Sequence, residues 1–171
     1  MKKLILIVSL ILIVIQGFSQ KSKTLTLYEK GKMSFSSGLS LGFGSNFFTY
    51  SLNNSFGYFP VKNLQVGLLA TQRFAGNLEK TNYLSNSVGV YGKYFFGDRK
   101  LKPWISTGFD FDLAYSDAAV YNRFTIPIGI GFDFAITDRI SLEFGFYEKF
   151  YDGFKKTQSG IYPMFGIKIR L

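Results

Sequence analysis

The sequence predicts an all-β protein, an eight-stranded antiparallel up-and-down transmembrane β-barrel, and three observations predict it. Eight segments alternate bulky apolar residues with small or polar ones at a period of two. Beyond the first residues there is no long apolar run and no sustained helical periodicity. The polar face of the alternation is mostly Gly and Ser with isolated charges of both signs, which suits a narrow crowded interior better than a solvated surface. With 171 residues, 47% hydrophobic and 18% charged, the chain fits a single domain and is too apolar for disorder. Zero Cys excludes disulfide scaffolds, thiol chemistry and Cys-held metals, while zero His removes the commonest metal ligand and the base of Ser-His-Asp catalysis.

In chain order, the first element is a leader. Lys2 and Lys3 precede the apolar run Leu4 to Ile15, and Gly17-Phe18-Ser19 places small residues at cleavage spacing, so residues 1–19 read as a secretory signal peptide. At about 12 residues the run is too short to cross a bilayer as a helix. Residues 20–32 are expected to form an N-terminal periplasmic segment, basic through Lys21, Lys23, Lys30 and Lys32, and residues 33–171 the barrel.

From Met33 to Phe43 the odd positions are large and apolar except Ser37, and the even ones are Ser or Gly. The second strand carries Tyr50, Leu52, Phe56 and Tyr58, and the third Leu64, Val66, Leu68 and Ala70, with Leu69 breaking the rule. Leu84 to Phe96, Ile105 to Leu113 and Phe124 to Phe134 follow, the last with the cleanest alternation. Ile140 to Phe146 and Ile161 to Leu171 complete the eight. An apolar band of about 25 Å crossed at a tilt of about 40° needs roughly ten residues per strand, which these segments supply. The bulky face therefore meets lipid, and closure into a barrel leaves no unpaired sheet edge there.

Connections alternate in character. Pro60 to Asn63 and Ile136 to Arg139 are tight and Gly97 to Lys102 somewhat longer, whereas Ala75 to Asn82, Ser116 to Asn122 and Asp152 to Ser159 read as loops. The tight set is expected on the periplasmic side with both termini. Tyr58-Phe59, Tyr94-Phe95-Phe96 and Phe132-Asp133-Phe134 recur about every 37 residues before these turns, one hairpin unit repeated. With Trp104 they are expected to form a periplasmic aromatic girdle, and Tyr83, Tyr115, Tyr121, Phe150, Tyr151 and Phe154 an outer one.

The mature chain, from Met33 through the terminal Phe165-Gly166-Ile167-Lys168-Ile169-Arg170-Leu171, resembles small outer-membrane β-barrels of the OmpA-barrel and OmpX type. The resemblance implies a monomer in the outer membrane of a Gram-negative bacterium, inserted by the barrel-insertion machinery, with roles from envelope stability to adhesion. That machinery commonly reads a terminal Phe, and here Leu171 stands in its place.

Lumen parity collects Asp110, Asp112, Asp133 and Glu143. A pair of carboxylates can work as acid and base, but charges in a closed lumen must be paired. Counting along the hairpins puts Glu143 opposite Lys168 and Arg170 with Asp133 one strand away, and assigns Lys93, Arg73, Lys149 and Arg123 to other levels. These residues are read as a structural charge network, and no catalytic, metal or cofactor-binding residue is assigned. Gly42-Phe43-Gly44 and Gly129-Ile130-Gly131 lie inside strands, where close packing explains them better than phosphate binding.

The net charge of +9 gathers partly in the periplasmic turns at Lys62, Arg99, Lys100, Lys102 and Arg139. Expected partners are outer-membrane lipid and an envelope protein, not nucleic acid, for which no basic groove or stacking platform is present. The reading is a non-enzymatic barrel with a structural or partner-binding role, such as an accessory subunit of a larger outer-membrane complex. The alternative is transport of a small solute or apolar ligand.

Overall fold

The computed structural model describes residues 28–43, 48–76, 81–116, 119–151, 156–157 and 162–171. The strands are β1 (Met33–Phe43), β2 (Phe48–Val61), β3 (Leu64–Gly76), β4 (Thr81–Phe95), β5 (Leu101–Ser116), β6 (Ala119–Ala135), β7 (Ile140–Tyr151), β8 (Lys156–Thr157) and β9 (Tyr162–Arg170). Both β8 and β9 pair with β7 and act as one interrupted wall strand, so the wall has eight. Each strand pairs antiparallel with its neighbour in sequence, and β9 returns to β1, closing the sheet on itself. Closure satisfies every strand on both sides, the condition for a sheet in lipid.

The register sets the shape. From Ser37, Cα partners lead through Asn54, Ala70 and Val88 to Phe111 in one direction and through Ile167, Leu142 and Phe134 to Leu101 in the other, ten residues apart on β5. A shear of ten over eight strands corresponds to a tilt of about 40° and a radius of about 8 Å, too narrow to stay empty of side chains.

The two faces divide as the alternation predicts. Leu68, Val88 and Ile130 are 63%, 63% and 58% exposed, whereas Asp110, Asp133, Ser141 and Lys168 are fully buried. Phe144 and Ile130 point outward, so the apolar set forms the exterior and the polar set the interior.

One end of the barrel, called lower here, carries residues 28–32, the C-terminus and the connections 62–63, 96–100 and 136–139. At Lys62-Asn63 the chain reverses in two residues, and Asn63 takes φ 65°, a left-handed conformation its short polar side chain tolerates. The Ile136–Arg139 turn is held by Thr137 Oγ1, which accepts from Arg139 N at 3.1 Å and Ile140 N at 3.0 Å.

Two expectations need correction. Strands run further toward the upper end than their apolar alternation: β5 and β6 still pair at Ser116 and Ala119, where a loop was expected. Backbone pairing needs no apolar side chain, so a strand outlasts its greasy stretch. The lower aromatic girdle is also thinner than expected. Tyr58, Tyr94, Phe96 and Phe132 face outward, but Phe59, Phe95 and Trp104 are buried inside. Adjacent aromatics on a strand cannot share a face, so one of each pair must enter the lumen. The leader, residues 20–27 and the side chains of Tyr83, Tyr115, Tyr121, Tyr151 and Phe154 lie outside the described residues.

Candidate functional site

Among the described residues the lumen gathers the buried polar chemistry, and it is layered. At the lower mouth, residues 28–32 fold back onto the wall: Asn63 N donates to Tyr28 O at 2.9 Å, Gly31 N to Phe59 O at 2.8 Å and Phe59 N to Lys32 O at 3.0 Å. These bonds drive the Tyr28 ring into the opening, where it meets Phe59 and Phe95 with ring centroids 6.1 and 4.9 Å away. The Lys102 ammonium lies 4.2 Å from the centre of the Tyr28 ring and donates to Asn63 Oδ1 and Gly97 O, both at 2.8 Å. Lys168 sits over Phe95 at 4.3 Å. Charge over an aromatic face in a desolvated setting is worth about 2 kcal/mol, so these rings both close the mouth and help hold the cations.

Above the plug lies an ionic cluster that spans the barrel. Asp133 on β6 and Glu143 on β7 are Cα partners, which sets two carboxylates side by side. Lys168 on β9 binds both, reaching Asp133 and lying 3.1 Å from Glu143 Oε2. Glu143 is also bound by Lys93, which comes from β4, diametrically opposite β9 in the strand order. All four side chains are nearly or fully buried. Lys93 in turn lies 4.3 Å from the Trp104 ring, and Trp104 packs on Tyr147 at 5.6 Å. A Cβ at Gly131 or Gly145 would collide with the Trp104 indole, so glycine is what lets that ring lie against the wall.

The upper lumen is paired more locally. Lys149 Nζ is 3.2 Å from Asp110 Oδ2, and Arg123 approaches Asp112 on the neighbouring strand at 3.2 Å with Nε and Nη2. Arg73 donates from Nε to Ser51 Oγ at 3.4 Å and stacks over Tyr162 at 5.4 Å. Two small voids, about 50 and 60 Å³, separate the layers, each with room for a few waters. Leu69, the residue that breaks its strand's alternation, borders both.

Of the network read from the sequence, the structure thus brings together Lys93, Asp133, Glu143 and Lys168 in one cluster. Asp110 joins Lys149, and Asp112 joins Arg123. Arg170 stands at the lower rim, partly buried, its Cα opposite Ser34, while Glu143 is held by Lys93 and Lys168. Two contributors were missed. Lys102 was read as a turn residue, although its parity on β5 matches Trp104 and Ser106 and marks it as lumenal. Tyr28 lies outside any periodic segment and carries no sequence signal. Outside the membrane span, a hydrogen bond from Lys62 and the charges of Lys62 and Lys102 hold the Asp98 carboxyl below its ordinary range. No cluster of three or more metal-ligating side chains occurs among the described residues.

No protein-family model matches the chain, and no curated protein matches it in sequence. Solved structures do match. The N-terminal β-barrel domain of Pseudomonas aeruginosa OprF aligns with TM-score 0.66 at 15% identity, covering 83% of this chain and 98% of that one. Neisserial surface protein A gives 0.63 at 15% identity, covering 82% and 96%. The outer membrane enzyme PagL gives 0.56 at 20% identity, covering 78% and 98%. The shared feature is the fold: this is an eight-stranded antiparallel barrel of the small outer-membrane type.

Proposed function

We propose that this chain is a non-enzymatic barrel of the Gram-negative outer membrane, with termini and short turns in the periplasm, that acts through its surfaces in a structural or partner-binding role. The observation that carries this reading is the cross-lumen cluster of Lys93, Glu143, Lys168 and Asp133. It ties opposite walls together through buried side chains, directly above a mouth filled by Tyr28, Phe59 and Phe95. Among the described residues these side chains fill the lower mouth and the level above it, which favours a surface role over a solute path.

The PagL fold shows that such a barrel can carry an enzyme, so fold alone does not decide. In this chain the lumenal carboxylates are each engaged by a cation, and no His is present to serve as a base near neutral pH.

Planar-bilayer recording of the refolded protein tests the reading. Silence is the expected result; discrete openings that disappear in Glu143→Gln would replace it with transport. Orientation is checked on intact cells, because the chain has no cysteine of its own. An impermeant maleimide should label Asn122→Cys near the upper end and spare Arg99→Cys.

A further inference from the structure

We infer that the outer wall from β5 round to β1 carries a docking site for one anionic phospholipid, its acyl chain lying in an apolar groove and its phosphate held by Lys100 and Arg139 at the lower rim. The inference rests on the reading that the apolar exterior stands in lipid, and not on which leaflet meets the lower end.

The register builds the groove. Trp104, Gly131, Gly145, Met164 and Ser40 are successive Cα partners on β5, β6, β7, β9 and β1, and all have lumenal parity, so the outer side of this row is bare backbone. Phe132, Phe144 and Phe165 form an outward ridge below the row, and Ile130, Phe146 and Pro163 form one above it. The trough between them has a volume of about 760 Å³. Four strand spacings make it about 19 Å long. It climbs, because Trp104 is the fourth residue of β5 and Ser40 the eighth of β1. Half the hydrocarbon core of a bilayer is about 15 Å deep, so a single acyl chain that enters at β5 matches both the length and the slope.

Charge complementarity says which lipid. The low end of the groove, at Pro103 and Phe132, stands about 10 Å along β5 above Lys100. Ala135 N donates to Lys100 O at 2.8 Å, which sets Lys100 beside the end of β6, and Arg139 closes the turn from β6 to β7. Both residues are exposed, and no described carboxylate lies within ion-pair distance of either. The rim between β5 and β7 also carries Arg99, against Asp138 and an Asp98 already bound by Lys62 at 2.9 Å. Three cations facing one further carboxylate favour an anionic head group over a zwitterionic one at the membrane surface.

The single Trp of the chain is the probe, because the Trp104 indole lies at the floor of the groove against Gly131 and Gly145, which carry no side chain. Bromine on a lipid chain quenches Trp emission only at close range. Protein refolded in phosphatidylcholine vesicles is titrated with dibrominated phosphatidylglycerol and, separately, with dibrominated phosphatidylcholine. The anionic lipid should reach half-quenching at a mole fraction about ten-fold lower. Lys100→Gln combined with Arg139→Gln should abolish that preference and leave quenching by the zwitterionic lipid unchanged. Lys30→Gln combined with Lys32→Gln removes the same charge beside β2, across the ring from β6, and should leave the preference intact. Equal curves for the two lipids, or an equal loss of preference in both double variants, would overturn the site while leaving the barrel in its membrane. Absence of quenching by either lipid would overturn it by denying this wall to lipid, and a dimer in that case would give the groove to a second copy.

Discussion

The lower and upper halves of the lumen solve one problem in two ways. Both bury charge inside a barrel about 8 Å in radius. Below, Lys168 neutralises Glu143 on the adjoining strand and Asp133 one strand further, and Lys93 reaches Glu143 across two intervening strands, so the linked cluster ties β4 to β9 on the opposite wall. Above, Arg123 and Asp112 pair between neighbouring strands, and Lys149 reaches Asp110 across a single intervening strand. A local pair neutralises charge without tying distant walls together. The difference teaches that burial and wiring are separate properties: the lower layer should govern stability and the upper layer should tolerate change.

The sharpest way to break that comparison is Lys168→Met, which keeps the volume and strands Asp133 beside Glu143. Removing one partner of a buried charge pair costs about 3–5 kcal/mol. Arg123→Met should cost less, about 1–3 kcal/mol, because the lost pair is open to solvent on the Arg123 side, 29% exposed, although the Asp112 carboxylate left behind is buried. Urea unfolding of both variants in the same micelles measures the contrast. Equal losses would erase the distinction between layers.

Tyr28→Ala comes next. The ring fills the lower mouth against Phe59 and Phe95 and lies under Lys102. Removing a buried aromatic of this kind costs about 3 kcal/mol, and amide exchange at Phe59 and Asn63 should accelerate as their bonds to the carbonyls of Lys32 and Tyr28 open. Unchanged exchange there would mean that the mouth is closed by the wall alone.

Gly145→Ala probes the same layer from behind Trp104. The added methyl meets the indole and forces the ring off the wall, at about 1–3 kcal/mol. Gly92→Ala is the control, because its Cβ meets nothing within 4 Å. Near-UV circular dichroism of the single Trp should change in the first and not in the second.

How much of this was legible in the sequence follows from which physics each feature obeys. Strand identity and the inside-out division depend only on period two, so Ile130, Phe144, Asp133 and Glu143 fall on their faces from parity alone. Counting along hairpins reaches neighbouring strands, which is how Glu143 and Lys168 come together on paper. The Lys93–Glu143 contact crosses the barrel, and which heights face each other there depends on the ten-residue shear, which no local pattern encodes. The upper ends of β5 and β6 were cut short because Ser, Asn and Asp hide a strand whose backbone still pairs. Tyr28 is invisible for the opposite reason: a single ring that seals a mouth has no period.

The smallest effect lies at the rim, where Lys62 contacts Asp98 at 2.9 Å and the Asp98 side chain is 62% exposed. Here the lower half offers a pair that neither braces nor is buried, and it should behave like any surface ion pair, worth less than about 1 kcal/mol. Its carboxyl is held below its ordinary value near 3.8 by the Lys62 hydrogen bond. A depressed folded value means that the unfolded chain takes up the proton first as pH falls. The stabilisation is therefore complete above the ordinary carboxylate value and fades as pH drops through the lower, folded one. The difference in unfolding free energy between the parent and Asp98→Asn isolates this pair from the lumenal carboxylates, provided it is followed from pH 6 down to about 3. It should be small and flat above about pH 5, shrink below 4, and diminish in 0.5 M salt, where the Debye length falls to about 4 Å. A difference that grows on acidification would mean that Asp98 is held protonated, and would move the Lys62 contact from the solvated rim into the buried network.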